Sequence, residues 1–224
     1  MPLEFSRIRA VCFDIDGTLS DTDDQLIARV VPWLFPLRLF FPAVALPAIA
    51  RRLVMALESP LNLVYEWLDR LNLDGLLTLL MDYFQARSNQ KKSRFQLIAD
   101  VLPMLQALSA KYPLLIVSAR DEHNVYAFLR QFKLLKYFKI IVTSQTCPHT
   151  KPFPEPLLFA AQRLKIDPHN ILMVGDTTVD IKTGRRAGAQ TLGVLCGFGT
   201  EKELIRAGAD LILPSTADLK NLLT

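Results

Sequence analysis

The sequence predicts an α/β fold in which a parallel sheet is covered by helices on both faces. Short apolar runs recur along the chain, and from about Gln96 onward a single segment with helical spacing of apolar residues separates each run from the next. The runs are apolar throughout instead of alternating with polar residues, which is typical of strands buried on both faces. This combination indicates repeated strand–helix units.

The first predicted strand and the segment after it suggest that the core is interrupted. Ile8–Phe13 is a short apolar run that ends at an acidic turn containing Gly17. No strand pattern follows until about Lys92, and we predict a helical insertion, or cap, at residues 20–92 between core segments 1–19 and 93–224. The apolar positions of this insertion recur at helical spacing: Leu61, Val64, Tyr65 and Leu68, then Leu76, Leu79, Leu80 and Phe84.

The remaining elements alternate between helix and strand. The predicted strands are Leu114–Val117, Lys139–Val142, Ile171–Val174, Thr191–Leu195 and Leu211–Leu213. The predicted helices comprise one with an apolar face of Ile98, Val101, Leu102, Leu105 and Leu108, then Val125–Phe132, Pro156–Leu164, Ile181–Ala187 and a C-terminal helix.

Composition excludes some classes of function. The 224 residues are 50% hydrophobic and carry a formal charge of +4, without the basic, aromatic-interleaved runs that indicate nucleic-acid binding. Three cysteines without metal-ligand spacing (Cys12, Cys147 and Cys196) favour a reduced, cytoplasmic setting. Met1–Arg9 lacks the apolar core of a secretory signal. The oligomeric state is left open.

One apolar stretch, Val30–Ala50, approaches the length of about 20 residues that a membrane-spanning helix needs. It contains Arg38 and four prolines, which interrupt helical hydrogen bonding. We therefore favour buried helices of the insertion over a membrane span, with contact to a membrane or partner as the lesser alternative.

Polar residues follow four of the predicted strands, where ligands bind in sheets of this kind. These residues are Asp14, Asp16 and Thr18 after the first strand, Ser118 after the second, Lys151 after the third, and Asp176 and Asp180 after the fourth. Four carboxylates that converge need a cation, and Mg²⁺ commonly takes carboxylate and phosphate oxygens. Lys151 adds a fixed positive charge and Ser118 a hydroxyl donor. The set favours phosphoryl transfer.

The same residues lie in four motifs, DIDGTL, VSAR, KPFPEP and GDTTVD, that resemble, in order, those of the haloacid dehalogenase-like hydrolase superfamily. The KPFPEP form and the later GVLCGFGTEKEL run look most like the phosphoglycolate-phosphatase branch. The resemblance implies a Rossmann-like three-layer core with a helical cap inserted after the first strand. It also implies a phosphatase that acts on a small phosphorylated metabolite.

The resemblance further implies a role for each residue. Asp14 is expected to be the nucleophile and Asp16 the general acid and base. Mg²⁺ is expected to bind Asp14, the backbone carbonyl of Asp16 and Asp176, and Asp180 is expected to support this shell. Ser118 and Lys151, with Thr18, are expected to bind the phosphoryl group. The aspartate at position 16 disfavours carbon–halogen cleavage, because a halide leaving group needs no proton.

Several alternatives stay open. A phosphomutase and an inorganic pyrophosphatase would use the same motifs, and a regulatory protein would instead use the apolar insertion for binding. Taken alone, the acidic turn at Asp14 could be a simple Asp-Gly turn, and Asp180 could merely favour the first turn of its own helix. For Arg120 we expect a surface salt bridge in preference to substrate contact.

Overall fold

The computed structural model describes residues 3–21 and 95–224. The chain divides into two compact units, Met1–Asp23 with Phe95–Thr224 and Asp24–Arg94. The second unit lies outside the described residues, as do the apolar stretch Val30–Ala50 and most of the predicted insertion. The helical character and boundaries of the insertion therefore stay predictions.

The first unit alternates between strand and helix as the sequence predicts. The strands are β1 (Ala10–Phe13), β2 (Leu114–Val117), β3 (Phe138–Val142), β4 (Ile171–Gly175), β5 (Gln190–Val194) and β6 (Leu211–Leu213). The helices, numbered within the described part, are α1 (Val101–Ser109), α2 (Glu122–Gln131), α3 (Glu155–Leu164), α4 (Thr178–Ala187), α5 (Glu201–Ala207) and α6 (Leu219–Leu223). Short 3-10 helices are Phe5–Arg7, Leu135–Tyr137, Pro168–Asn170 and Thr216–Asp218.

The six strands form one sheet in the order β3-β2-β1-β4-β5-β6, and every neighbouring pair is parallel. This is the predicted α/β, Rossmann-like arrangement. The first strand lies in the middle, between β2 and β4, with Phe13 opposite Ile116 on one side and Val174 on the other. The strand order reverses at β1, so the carboxyl ends of β1, β2 and β4 meet where ligands bind in open sheets.

Residues of the strands β1 to β4 alternate between two hydrophobic clusters, one on each face of the sheet. In β1, Val11 and Phe13 join the cluster that includes α1, α2 and α6. Ala10 and Cys12 join the cluster on the other face, which includes residues of α3 and α4. All four side chains are fully buried. The three layers are therefore helix, sheet and helix, and the core runs along both faces of the central strands.

Two local predictions are wrong. The first helix begins at Val101 and not near Ile98, because Asp100 adopts the left-handed conformation with φ of 59°, which does not continue a right-handed helix. The prediction also lacked α5, which begins with a capping box between Thr200 and Glu203 and ends at Gly208. Within the described residues, no helix is both long and apolar enough to cross a membrane.

Candidate active site

The loop after β1 begins the site. The backbone N–H of Asp14 donates to the carbonyl of Val174 at 3.0 Å, which ties the end of β1 to β4. The chain then turns sharply, because the amides of Leu19 and Ser20 both donate to the carbonyl of Ile15, at 2.8 and 2.7 Å. The turn is thus closed by its own backbone, and Asp14 is fixed at the carboxyl edge of the central strand.

Gly17 allows this turn to pack directly against β4. Its φ is +71°, in the left-handed region that favours glycine. A Cβ atom at this position would lie 2.3 Å from Oδ2 of Asp176. A larger residue is therefore excluded both by backbone conformation and by the space that Asp176 occupies.

Three buried carboxylates come together at this edge. Asp14 follows β1, Asp176 follows β4, and Asp180 lies in the first turn of α4; one oxygen from each lies within 4.8 Å of the others. Their exposed fractions are 6%, 0% and 0%. Hard carboxylate oxygens in such a group are the donors that divalent cations such as Mg²⁺ and Ca²⁺ prefer. The chemistry of this donor set fits a bound metal ion.

Lys151 lies between two of these carboxylates. Its Nζ is 2.7 Å from Oδ1 of Asp14 and 2.6 Å from Oδ1 of Asp180, and the residue is only 6% exposed. Burial alone would lower the pKa of the ammonium, but the carboxylates of Asp14 and Asp180 outweigh burial and raise it. Lys151 is therefore a permanently charged group inside the site.

The surroundings of Asp14 favour its neutral form, whereas those of Lys151 favour its charged form. Burial raises the pKa of Asp14, the attraction of Lys151 lowers it, and repulsion from Asp180 and Asp16 raises it further, with a net rise to about 7. One ammonium thus faces more negative charge than it can neutralise. Additional positive charge at this place would favour the ionised, nucleophilic form of Asp14.

Asp180 has one of the two roles that the sequence left open, at the start of its own helix, while its support of a metal shell stays a prediction. Its Oδ2 accepts hydrogen bonds from the backbone N–H and the hydroxyl of Thr177, at 3.0 and 2.7 Å, which caps the start of α4. Its Oδ1 accepts from Lys151. The residue therefore anchors the helix and holds the ammonium at the same time.

Asp176 is held by donors from two loops. The hydroxyl of Thr18 donates to Oδ1 at 3.0 Å, and the backbone N–H of Phe198 donates to Oδ2 at 2.8 Å. The N–H of Gly199 donates to its carbonyl at 3.0 Å. A Cβ on Gly197 would lie 2.1 Å from Oδ2. The loop after β5 therefore encloses this carboxylate. The sequence analysis did not include this loop in the site, and its Gly-Phe-Gly sequence directly after a predicted strand was the signal that could have indicated it.

The two hydroxyls predicted to bind phosphate have different surroundings. Thr18 is fully buried, and its hydroxyl donates to Asp176. In this structure the hydroxyl therefore holds that carboxylate in place. Ser118 follows β2, is 4% exposed, and accepts a hydrogen bond on Oγ from the N–H of Arg120 at 3.2 Å. The phosphate-binding role of both residues stays a prediction.

Asp16 forms an ion pair that the sequence did not predict. Nη2 of Arg120 donates to Oδ1 of Asp16, and the guanidinium lies over the ring of Phe95 at 5.2 Å. The two charged side chains are 19% and 29% exposed. Arg120 therefore forms the expected salt bridge, but its partner is a residue of the candidate site and both side chains are partly buried, so the expected surface location is wrong.

Known proteins resemble the chain over most of its length. The family model of haloacid dehalogenase-like hydrolases matches residues 11–194. A pyrophosphatase PpaX of Anoxybacillus flavithermus is 30% identical over 218 residues, which cover 97% of each chain. A phosphoglycolate phosphatase of Nitrosospira multiformis is 30% identical over 231 residues, covering 96% of each.

A solved structure extends this likeness to the fold. A haloacid dehalogenase-like family hydrolase of Streptococcus pneumoniae superposes with a TM-score of 0.68 at 23% identity, covering 98% of this chain and 100% of its own. The resemblance that the four motifs implied is therefore confirmed. The chain is an enzyme that belongs to the haloacid dehalogenase-like hydrolase family.

Proposed function

We propose that this enzyme is a Mg²⁺-dependent phosphatase that hydrolyses a small phosphorylated metabolite, a phosphoglycolate-like phosphomonoester, through an aspartyl-phosphate on Asp14. The observation that carries the proposal is the buried group of Asp14, Asp176 and Asp180 with Lys151 in contact with two of its members. A carboxylate nucleophile beside a cation site and a fixed ammonium suits phosphoryl transfer, where positioning and charge stabilisation dominate catalysis.

In the first step, a carboxylate oxygen of Asp14 attacks phosphorus while the bond from phosphorus to the leaving oxygen breaks. Asp16 donates a proton to that oxygen, so that an alcohol leaves and not an alkoxide. Asp16 follows Asp14 by two residues in a closed turn, so the proposed acid and the proposed nucleophile belong to the same loop.

In the second step, Asp16 accepts a proton from a water molecule as the water oxygen attacks the phosphorus of the acyl phosphate. The bond from phosphorus to Asp14 breaks, inorganic phosphate leaves, and the Asp14 carboxylate is restored. Asp16 ends the cycle protonated, as it began.

The proposed metal ligands are Asp14, the backbone carbonyl of Asp16 and Asp176, with Asp180 outside this shell. Oδ1 of Asp180 accepts from the ammonium of Lys151, so the outer role that we propose for Asp180 is to hold Lys151 beside the nucleophile. Bound Mg²⁺ supplies positive charge that offsets the crowded carboxylates and the phosphoryl oxygens.

Lys151 and Ser118 are proposed to bind the transferring phosphoryl group. Lys151 already contacts the nucleophile, so a phosphate attacked by Asp14 comes within its reach. Ser118 lies at the carboxyl end of the neighbouring strand, and its hydroxyl suits donation to a phosphoryl oxygen. For Thr18, the bond to Asp176 supports an indirect contribution.

The three free cysteines support a cytoplasmic setting.

Inorganic pyrophosphatase is the second candidate, because a relative with 30% identity over 97% of both chains carries that name. The two candidates share every proposed step and differ in the leaving group. A phosphomutase would return the phosphoryl group to its substrate and release an isomer in place of inorganic phosphate.

The test measures inorganic phosphate released from 2-phosphoglycolate, pyrophosphate and p-nitrophenyl phosphate, with Mg²⁺ and with EDTA. We expect release that EDTA stops and that Asp14→Asn abolishes. Release that persists in Asp14→Asn would refute the nucleophile. An isomerised sugar phosphate with little free phosphate would indicate the mutase, and no turnover of any phosphate compound would leave the regulatory alternative.

A further inference from the structure

Arg120 contacts a residue to which we have assigned a role at the leaving group. Its guanidinium donates to Asp16, the residue that we propose to protonate the leaving oxygen. For that transfer the leaving oxygen must come within about 2.6–3.2 Å of the Asp16 carboxyl group. An arginine that contacts the same carboxyl group is therefore a candidate to bind atoms one to three bonds beyond the leaving oxygen.

The position of Arg120 is fixed by both its backbone and its side chain. Its N–H donates to the hydroxyl of Ser118 at 3.2 Å, and its carbonyl accepts from the N–H of Ser144 at 2.9 Å. Its guanidinium stacks over Phe95. A charged group that is held at this many points is already ordered before a substrate arrives, which lowers the entropic cost of using it in recognition.

The partners of Arg120 distinguish it from Lys151, the buried cation of the described site. Lys151 is shared by Asp14, the proposed nucleophile, and Asp180. Arg120 is partly buried and pairs with Asp16, the proposed general acid. Its planar guanidinium can donate to two oxygens of a carboxylate or phosphate at once, which an ammonium cannot match.

We propose that Arg120 selects substrates whose leaving group is itself an anion, with a carboxylate or phosphoryl group one to three bonds from the leaving oxygen. This inference rests on the proposed phosphatase function and specifies the substrate class. A leaving group with a carboxylate and one with a phosphoryl group both offer Arg120 a pair of anionic oxygens. The test therefore includes one compound of each kind.

The test compares 2-phosphoglycolate with 2-hydroxyethyl phosphate, which has a neutral hydroxymethyl group in place of the carboxylate, and adds pyrophosphate as the phosphoryl example. In the wild-type enzyme we expect kcat/KM to be at least tenfold higher for 2-phosphoglycolate or for pyrophosphate than for the neutral ester. Arg120→Gln should reduce this preference about ten- to hundredfold, the range for hydrogen bonds to charged groups. Arg120→Lys should give an intermediate preference.

Arg130→Gln is the matched control, because Arg130 is an exposed arginine that stacks on Tyr126 in α2 and has no proposed role in the site. It should leave the preference unchanged. If Arg120→Gln lowers kcat/KM equally for charged and neutral substrates, Arg120 only positions Asp16 and the proposal is wrong. A wild-type enzyme without preference for either anionic compound would also refute it.

A binding measurement keeps the test decisive if Arg120→Gln has too little activity to measure. Asp14→Asn blocks turnover, and calorimetry in this background compares Arg120 with Arg120→Gln for the two esters. The affinity for 2-phosphoglycolate should fall at least tenfold more than that for 2-hydroxyethyl phosphate; an equal fall refutes the selection. Phosphate release by the wild-type enzyme tests the proposed function separately, since it does not depend on the ratio between esters.

Discussion

Nζ of Lys151 lies 2.7 Å from Oδ1 of Asp14, and the same ammonium lies 2.6 Å from Oδ1 of Asp180. One buried cation is thus shared by the proposed nucleophile and by the residue that caps α4. The ammonium links the chemistry of the site to the stability of the fold, because removing it leaves two buried carboxylates without their common partner.

Lys151→Met should therefore destabilise the metal-free protein strongly, by about 3–5 kcal/mol, as is typical when one partner of a buried ion pair is removed. Adding Asp180→Asn should recover part of this loss, because one of the unpaired charges is then absent. Urea unfolding in EDTA measures both effects. Lys182→Met, at an exposed position of α4, is the control, and an equal effect of the two lysine variants would contradict the buried pairing.

Asp14→Asn should stabilise the metal-free protein at alkaline pH. The folded protein raises the pKa of Asp14 from 3.8 to about 7, so between these values it binds a proton that the unfolded chain lacks. The free energy of unfolding therefore falls as pH rises through this range. The asparagine of the variant does not ionise, so the variant keeps this part of the free energy of unfolding, which is on the order of 2–4 kcal/mol at pH 8.

The measurement is urea unfolding of wild type and Asp14→Asn in EDTA between pH 5 and 8. The advantage of the variant should shrink toward pH 5, where Asp14 of the wild type keeps its proton. Mg²⁺ should stabilise the wild type more than the variant. A stability difference that does not change with pH would show that Asp14 titrates normally.

Thr18→Val should weaken Mg²⁺ binding, because it removes the hydroxyl that donates to Oδ1 of Asp176 at 3.0 Å. We expect the dissociation constant for Mg²⁺ from calorimetry to rise about tenfold, the effect of losing one hydrogen bond to a charged group. Thr18→Ser keeps the hydroxyl and should bind Mg²⁺ nearly as the wild type does. If Thr18→Val instead raises only the KM for substrate, the hydroxyl serves the phosphate, as the sequence first suggested.

Gly197→Ala should abolish most of the stabilisation that Mg²⁺ gives. The added methyl group would lie 2.1 Å from Oδ2 of Asp176 and must displace that carboxylate or the loop. The increase in Tm on adding Mg²⁺ measures the effect without requiring activity. Phe198→Leu is the control, because it changes the same loop but keeps the N–H that bonds to Asp176. A normal Mg²⁺ response in Gly197→Ala would show that Asp176 is not a ligand.

Much of the fold could be predicted because burial on both faces leaves a simple pattern. The four-residue apolar runs of β1 and β2 have no polar face, and the structure buries every side chain in them. Local sequence signals were less decisive. Nothing in the sequence around Asp100 indicates its positive φ. Helix α5 has only seven residues, too few for a clear apolar pattern, so the capping box at Thr200 was the main indication of it.

The candidate site could be predicted only in part, for a similar reason. Residues that directly follow strands, such as Asp14 and Asp176, are brought together by the order of the sheet. The Arg120–Asp16 pair and the hydrogen bond from Phe198 to Asp176 depend on where loops fold back. No periodic pattern encodes those contacts, and they follow from three-dimensional packing alone.

The central position of β1 affects how the enzyme is made. Val11 pairs with Leu172 across the sheet, so the strand that bears Asp14 leaves the ribosome long before one of its two neighbours. At about 5–20 residues per second, this delay is roughly 10–30 s. During that time the apolar strand β1 lacks one of its two neighbours in the sheet. Chains truncated before Asp176 lack a ligand of the proposed metal site, so incomplete translation products should be inert.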